Sequence, residues 1–273
     1  MTDAVRLTLG EDGVALLEMN RPDRRNAFSD EIKDGLRDAT ATLSRTSGLR
    51  ALVFTGSGGT FCAGGDLKAM LRRHEAGEAN TADDVEARMN AIHAWFRVLR
   101  DMPVPVIVAV DGPAVGAGLG LALVGDLVLA SETAVFGATF AKVGAVPDCN
   151  LMWSLPRIVG LQRARELFYT ARLVDAQEAL RLGLCLEVLP RDRLMDRARE
   201  VAAMMAETSP EAFALTKEIT GRAMQSDSDT ILAAETAAQR ICLTSAYHID
   251  AVTRFAAKAR PRFDFTADDG VNG

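Results

Sequence analysis

One stretch narrows the fold more than any other, Pro105 to Pro156. It opens on Val106-Ile107-Val108-Ala109-Val110, an unbroken apolar run of strand length that predicts a buried strand. A loop with glycines at 112, 116, 118 and 120 follows, and from about Ala117 the pattern turns helical. A strand feeding a glycine-rich turn at a helix start leaves backbone N–H groups unpaired and aimed at one spot, where negative charge is favoured. Further on, after a turn at Gly144, Asp148 stands in Val146-Pro147-Asp148. The stretch reads as half of an anion-stabilising site followed by its acid–base residue.

The chain around it alternates between strand and helix. Val5 to Leu9 and Val14 to Met19 flank Glu11-Asp12-Gly13, which predicts a hairpin. Asn20 to Asn26 is a polar loop. Ser29 reads as the cap of a helix with Ile32, Leu36, Ala39 and Leu43 on one face. Arg50 to Thr55 is the next strand, Gly56 to Thr60 a loop, and Asp66 the cap of a short helix. Residues 74–84 are polar and read as a mobile loop. Val85 to Arg100 is an amphipathic helix stopped at Met102-Pro103. Helices over Leu161–Tyr169 and Ala176–Leu182 precede a last strand, Leu184–Leu189. From Asp192 the pattern is nearly all helix: 194–207, 210–224, 230–245 and 249–258. The expected organisation is an α/β core over 1–191 and a helical region over 192–273.

At 273 residues the chain buries a large core, as one domain or two. A net charge of −6 without a Lys/Arg cluster argues against nucleic acid as a partner. The N-terminal MTDAVRLTLGEDG lacks the apolar core of a signal peptide, and the uncharged run Gly112–Gly125 is too short and glycine-rich to span a bilayer. The cysteines at 62, 149, 185 and 242 have neither metal-ligand nor disulfide spacing. The expectation is a cytoplasmic protein with reduced thiols, no metal and no membrane partner.

Several segments in order resemble the crotonase family, also called enoyl-CoA hydratase/isomerase. They are Asn20-Arg21-Pro22 with Asn26-Ala27, Phe61-Cys62-Ala63-Gly64-Gly65-Asp66-Leu67-Lys68, and Pro105 through Gly118. Phe136-Gly137, Gly144-Ala145-Val146-Pro147, Leu155-Pro156-Arg157 and Phe255 through Pro261 complete the set. The resemblance covers nearly the whole chain. It implies a spiral of ββα turns forming two near-perpendicular sheets, with a C-terminal helical region that builds a homotrimer or a dimer of trimers. It also implies an acyl-CoA substrate and no separate cofactor.

The resemblance further implies site residues. Chemistry of this type passes through a thioester enolate, whose oxygen gains charge and is held by two backbone N–H groups. Those donors map to Gly65 and Ala117, and the carbonyl that meets the adenine maps to Ala63. Asp66, Leu67 and Lys68 line the same loop, Arg24 lies near the coenzyme phosphates, and Ala27 is a further substrate- or CoA-binding position. Phe255 and Lys258 match a C-terminal position that contacts CoA. Two glutamates used by the hydratases map to Gly120 and Phe140, and Phe140 then faces the acyl group. With both carboxylates replaced, the catalytic residue is Asp148, as in family members that move a carbon–carbon double bond. The segment Lys142–Arg157 looks like the ring-epoxide and enoyl-CoA isomerases, except that Asn150-Leu151 stands where those have two glycines.

Other readings stay open at this level. They include a hydratase with non-standard acid/base residues, a 4-halobenzoyl-CoA dehalogenase-like hydrolase and a non-catalytic acyl-CoA-binding relative. The dehalogenase type carries an aspartate nucleophile at 148 and a histidine at 93, but a tryptophan where this chain has Phe140. Read alone, the glycine-rich stretch is also compatible with a dinucleotide loop, though it lacks G-x-G-x-x-G. Asp148 also fits a turn residue, His93 a packing residue, and Lys68 and Lys258 solvated charges. Trp95 and Trp153 suit core or interface positions. Cys62 and Cys149 flank the supposed site without an identifiable base.

Overall fold

The computed structural model describes residues 3–78 and 81–265. In chain order the elements are β1 (Val5–Leu9), β2 (Val14–Met19), α1 (Asp30–Leu43), β3 (Ala51–Gly56), α2 (Leu67–Glu75) and α3 (Ala82–Arg100). Then come β4 (Val106–Val110), β5 (Pro113–Val115), α4 (Ala117–Ala122), β6 (Leu127–Ser131), β7 (Val135–Gly137), α5 (Leu151–Val159) and α6 (Leu161–Thr170). The last are β8 (Leu173–Asp175), α7 (Ala176–Leu182), β9 (Glu187–Leu189), α8 (Leu194–Ala206), α9 (Pro210–Ala223), α10 (Ser228–Cys242) and α11 (Ala246–Ala256).

Two sheets organise the described residues, one in the order β1-β2-β3-β4-β6-β9 and one in the order β5-β7-β8. The hairpin pairs Val5 with Met19 and Leu7 with Leu17, which sends Ala15, Leu17 and Met19 inward. From β2 onward each neighbouring pair of the large sheet is parallel. Its central strands are apolar at nearly every position because both faces are covered. Phe54, Val106, Val108 and Val110 face the main core, which α1, α3 and α4 share. The alternate residues Ala51, Val53, Ile107, Ala109 and Leu129 face α8, which answers with Leu194, Ala198, Val201 and Ala202.

The composition shift near residue 191 falls between β9 and α8, and α8 packs on the large sheet. Beyond it, α9, α10 and α11 bury no residue of their own. Lys217 of α9 reaches Asp126 at 2.7 Å, and Tyr247 of α11 donates its hydroxyl to the Glu207 carbonyl at 2.9 Å. Ile241, Ile249, Val252 and Phe255 remain exposed on these helices.

Local chemistry explains where the elements differ from the sequence expectations. The polar segment 74–84 is partly helical: α2 runs to Glu75, and α3 starts at Ala82 behind a Thr81/Asp84 capping box. Ala79 and Asn80 of that segment lie outside the described residues, as do residues 266–273 of the helical region. Ser29 stands at the start of α1, but its hydroxyl accepts no cap hydrogen bond. The last strand is shorter than Leu184–Leu189 because the chain enters pairing with β6 only at Glu187.

Candidate active site

Two distant loops meet backbone to backbone. Cys62 N–H donates to the Pro113 carbonyl (2.8 Å), and Val115 N–H donates to the Cys62 carbonyl (3.0 Å). This parallel pairing carries the 61–65 segment alongside β5 and the start of α4. Gly64 has φ +92° and lies so close to β5 that a Cβ there would stand 2.8 Å from the Val115 carbonyl oxygen. Only glycine fits both demands. Gly65 and Ala117 follow on the two sides of this contact. Ala117 is the first residue of α4, so its N–H has no partner within the helix. Neither the Gly65 nor the Ala117 N–H meets a backbone acceptor among the described residues.

A third segment is locked onto the first by one buried side chain. Asn26 is fully buried, with its Nδ2 donating to the carbonyls of Ser57 (3.0 Å) and Thr60 (2.6 Å). Its Oδ1 accepts from Arg21 N–H at 2.7 Å. Its backbone takes a left-handed φ of +49°, which asparagine tolerates better than most residues. Ala63 N–H then reaches the Arg25 carbonyl, and Phe28 N–H the Gly64 carbonyl. These bonds hold the 25–28 segment, which includes Ala27, against Ala63 and Gly64. Sequence reasoning used Asn26 only as part of a motif; its amide, which anchors the loop, shows only in three dimensions.

Asp66 caps α2 by accepting from Ala69 N–H at 2.9 Å, and Leu67 and Lys68 lie on the exposed first turn. A groove of about 430 Å³ runs between α1 and α2, lined by Arg24, Phe28, Lys33, Asp66, Met70 and Arg72, among others. Asp30 spans it, holding Lys33 at 3.1 Å and pairing with Arg73. Behind it the Phe28 ring packs edge-on against Trp95, 6.3 Å between centroids.

Asp148 lies on a separate segment. It follows a short 3-10 helix, Thr139–Val143, and the left-handed turn at Gly144. Its Oδ1 is buried without a hydrogen-bond partner among the described residues. Burial pushes its carboxyl above the usual aspartate range, against the smaller opposing pull of the Cys149 thiol, His93 and Lys33. His93, half-buried on α3, is thus near enough for its charge to act on Asp148. Burial also pushes the Cys149 thiol well up and the Cys62 thiol up to about 12. Both therefore stay protonated at neutral pH, which argues against a thiolate nucleophile.

The positions that carry glutamates in the hydratases are filled differently here. Gly120 packs against Cys149, and Phe140 is half-buried against the main core. Phe255 is 86% exposed at the end of α11, and Lys258 follows in a left-handed turn. Within one chain no described contact joins either to the groove. Among the described residues no group of acidic, histidine or cysteine side chains is placed to hold a metal ion, and no helix is long and apolar enough to cross a membrane.

Comparison with known proteins shows what the chain is similar to. Residues 10–265 match the family model described as enoyl-CoA hydratase/isomerase. The 1,2-epoxyphenylacetyl-CoA isomerase of Escherichia coli K12 is 36% identical over 253 residues, covering 93% of this chain and 95% of the relative. A short-chain-enoyl-CoA hydratase from Clostridium acetobutylicum is 34% identical over 253 residues, covering 92% of this chain and 94% of the relative. The crystal structure of an enoyl-CoA hydratase/isomerase from Cupriavidus metallidurans CH34 superposes with a TM-score of 0.89 at 33% identity, over 96% of this chain and 97% of that one.

The raised carboxyl of Asp148 makes a stability prediction. A carboxyl whose folded pKa lies above its unfolded value costs stability once pH exceeds the unfolded value, near 4, and the cost is full above the folded value. Asp148→Asn removes that cost. The variant is expected to melt above the wild type at pH 7, with the gap closing below about pH 4. Equal midpoints across the whole pH range would show that the carboxylate is not desolvated.

Proposed function

The chain belongs to the enoyl-CoA hydratase/isomerase family, and within it we propose that this protein moves a carbon–carbon double bond of an acyl-CoA, with Asp148 as its single base. The observation that carries the reading is Asp148 Oδ1, buried without a hydrogen-bond partner among the described residues on a turn that packs against α4, with no carboxylate at 120 or 140. The thioester oxygen rests on the N–H groups of Gly65 and Ala117. Asp148 takes a proton from C2 of a 3-enoyl-CoA, and the negative charge spreads through a dienolate onto that oxygen. The same carboxyl returns the proton at C4, and the double bond moves to C2–C3. No proton or electron is gained or lost overall, so one carboxylate suffices and no cofactor is required.

Hydration is the poorer fit, because it needs a base to activate water and an acid to protonate C2. The raised pKa of Asp148 brings the base closer to neutral pH, where proton transfer is most effective. Each N–H donor to the oxyanion contributes about 3–4 kcal/mol in comparable sites. The similarity to an epoxyphenylacetyl-CoA isomerase adds ring-epoxide thioesters to the substrates worth testing. A second reading draws on the charge of His93 near Asp148: a dehalogenase-like hydrolase with Asp148 as nucleophile. Halide release from 4-halobenzoyl-CoA would favour it, and Phe140 in place of tryptophan weighs against it.

Coenzyme binding in this reading uses Ala63, Ala27, Leu67 and Lys68 together with Asp66 and Arg24, which line the groove, with Arg24 near the phosphates. Phe255 and Lys258 join it only if the C-terminal helices pack on another subunit. The exposed apolar residues of α10 and α11 support such assembly into a trimer or a dimer of trimers. Sedimentation equilibrium is expected to return three or six chains; a monomer at assay concentration would remove Phe255 and Lys258 from the site.

Asp148→Asn keeps the shape and removes the base. It is expected to lower kcat by about 10²- to 10⁴-fold with little change in acyl-CoA affinity. In deuterated water the wild type is expected to exchange the C2 proton of substrate, and the variant not to. Near-wild-type turnover by Asp148→Asn would place the base elsewhere.

A further inference from the structure

We propose that Arg191 is a positioning residue for the segment that ends in Gly65: its guanidinium braces Asp111 and Gly59, and through them holds residues 61–65 against β5. The inference rests on the reading of Gly65 as a donor to the thioester oxygen. It goes beyond that reading by naming a residue that does not line the groove and acts only through the backbone it supports.

The loop between β3 and this segment is held from two sides. On one, the Asn26 amide donates to the Ser57 and Thr60 carbonyls. On the other stands Asp111, the residue after β4. Its backbone carbonyl accepts from Phe61 N–H at 2.7 Å, and the pairing continues with Cys62 N–H on the Pro113 carbonyl. The placement of Asp111 is therefore passed directly to the chain that leads to Gly65. Gly112 permits the close approach, since it has φ +61° and a Cβ there would overlap the Gly59 carbonyl.

Three side chains fix the Asp111 carboxylate. Ser131, fully buried at the end of β6, donates to Oδ1 at 2.9 Å, and Thr133 donates to the same oxygen at 3.0 Å. Arg191 takes the other oxygen, with Nε donating to Oδ2 at 2.7 Å. The Asp111 side chain is mostly buried, and a charge so placed needs a partner. The far edge of the same guanidinium lies on the backbone of Gly59, so close that any side chain at 59 would run into Nη2. Arg191 is carried there by β9, whose Leu189 pairs with Ser131. One planar group thus joins the end of β9, the carboxylate and the loop. A lysine could bring its charge to Asp111 but has no plane to lay on Gly59.

Positioning and stability separate here by magnitude. The Arg191 side chain is 57% exposed, and an exposed ion pair contributes little to stability. A backbone donor, by contrast, works only at the right distance and angle, and a displacement of about 1 Å can cost about 10²-fold in rate.

The test uses the full chain and reads no turnover. Hydrogen exchange of the backbone amides over residues 57–66, read by mass spectrometry, reports the brace without any ligand. Arg191→Ala is expected to speed that exchange about 3- to 10-fold and to lower the unfolding midpoint by no more than about 3 °C. Arg191→Lys is expected to fall between Arg191→Ala and the wild type. The second readout is the infrared carbonyl band of 3-hexenoyl-CoA labelled with carbon-13 at the thioester carbon, bound in an Asp148→Asn background. Adding Arg191→Ala is expected to broaden that band and return it part of the way to its solution position. A merely structural role would lower the midpoint and leave the band where it was. Unchanged exchange over 57–66 in Arg191→Ala overturns the proposal, and so does a shifted band that Arg191→Ala does not alter. If Asp148→Asn alone leaves the band at its solution position, the oxyanion reading fails, and the exchange readout still decides whether Arg191 braces the loop.

Discussion

The parallel hydrogen bonds between Cys62 and the Pro113–Val115 strand hold together two loops that are far apart in the chain. They bring the segment that carries Gly65 alongside β5 and the start of α4, which carries Ala117. Backbone donors in such a frame need no reorganisation as charge develops on a substrate oxygen, which is what makes them effective. The frame is rigid because both loops hang from buried parallel strands: Phe61 N–H bonds the Asp111 carbonyl just past β4, and Asn26 pins the preceding loop. A side chain at Gly64 would push the two loops apart.

In the proposed function one desolvated carboxylate works with those donors. Burying Asp148 without a partner for Oδ1 works against stability, and proteins keep such groups where chemistry needs them. The burial that raises its pKa also keeps both neighbouring thiols protonated. One local environment therefore raises the Asp148 carboxyl and keeps both cysteines protonated. The close packing of Gly120 on Cys149 belongs to the same arrangement.

Much of the large sheet was legible in the sequence, because β1 to β4 are long enough to show alternation or an unbroken apolar run. β5, β7 and β8 were not, since three residues show no period, and they exist only through pairing with partners distant in sequence. The order of the glycine motifs and Val-Pro-Asp pointed to Gly65, Ala117 and Asp148. What the sequence could not show was contact. That Asn26 clamps one loop onto another, that Lys33 and His93 act on Asp148 from two different helices, and that Cys149 fills the space beside Gly120 all depend on packing between segments. The groove between α1 and α2 was hidden for the same reason, since its walls come from α1, the loop before it and α2, segments apart in the chain.

The central claim is that the Gly65 and Ala117 N–H groups grip a thioester oxygen. It is tested most directly by isotope-edited infrared spectroscopy of an acyl-CoA labelled with carbon-13 at the thioester carbonyl, bound to Asp148→Asn protein so that no turnover intervenes. Two convergent hydrogen bonds polarise the carbonyl, so its stretching band is expected to move to lower wavenumber on binding. A bound thioester whose carbonyl band stays at its solution position would contradict the account.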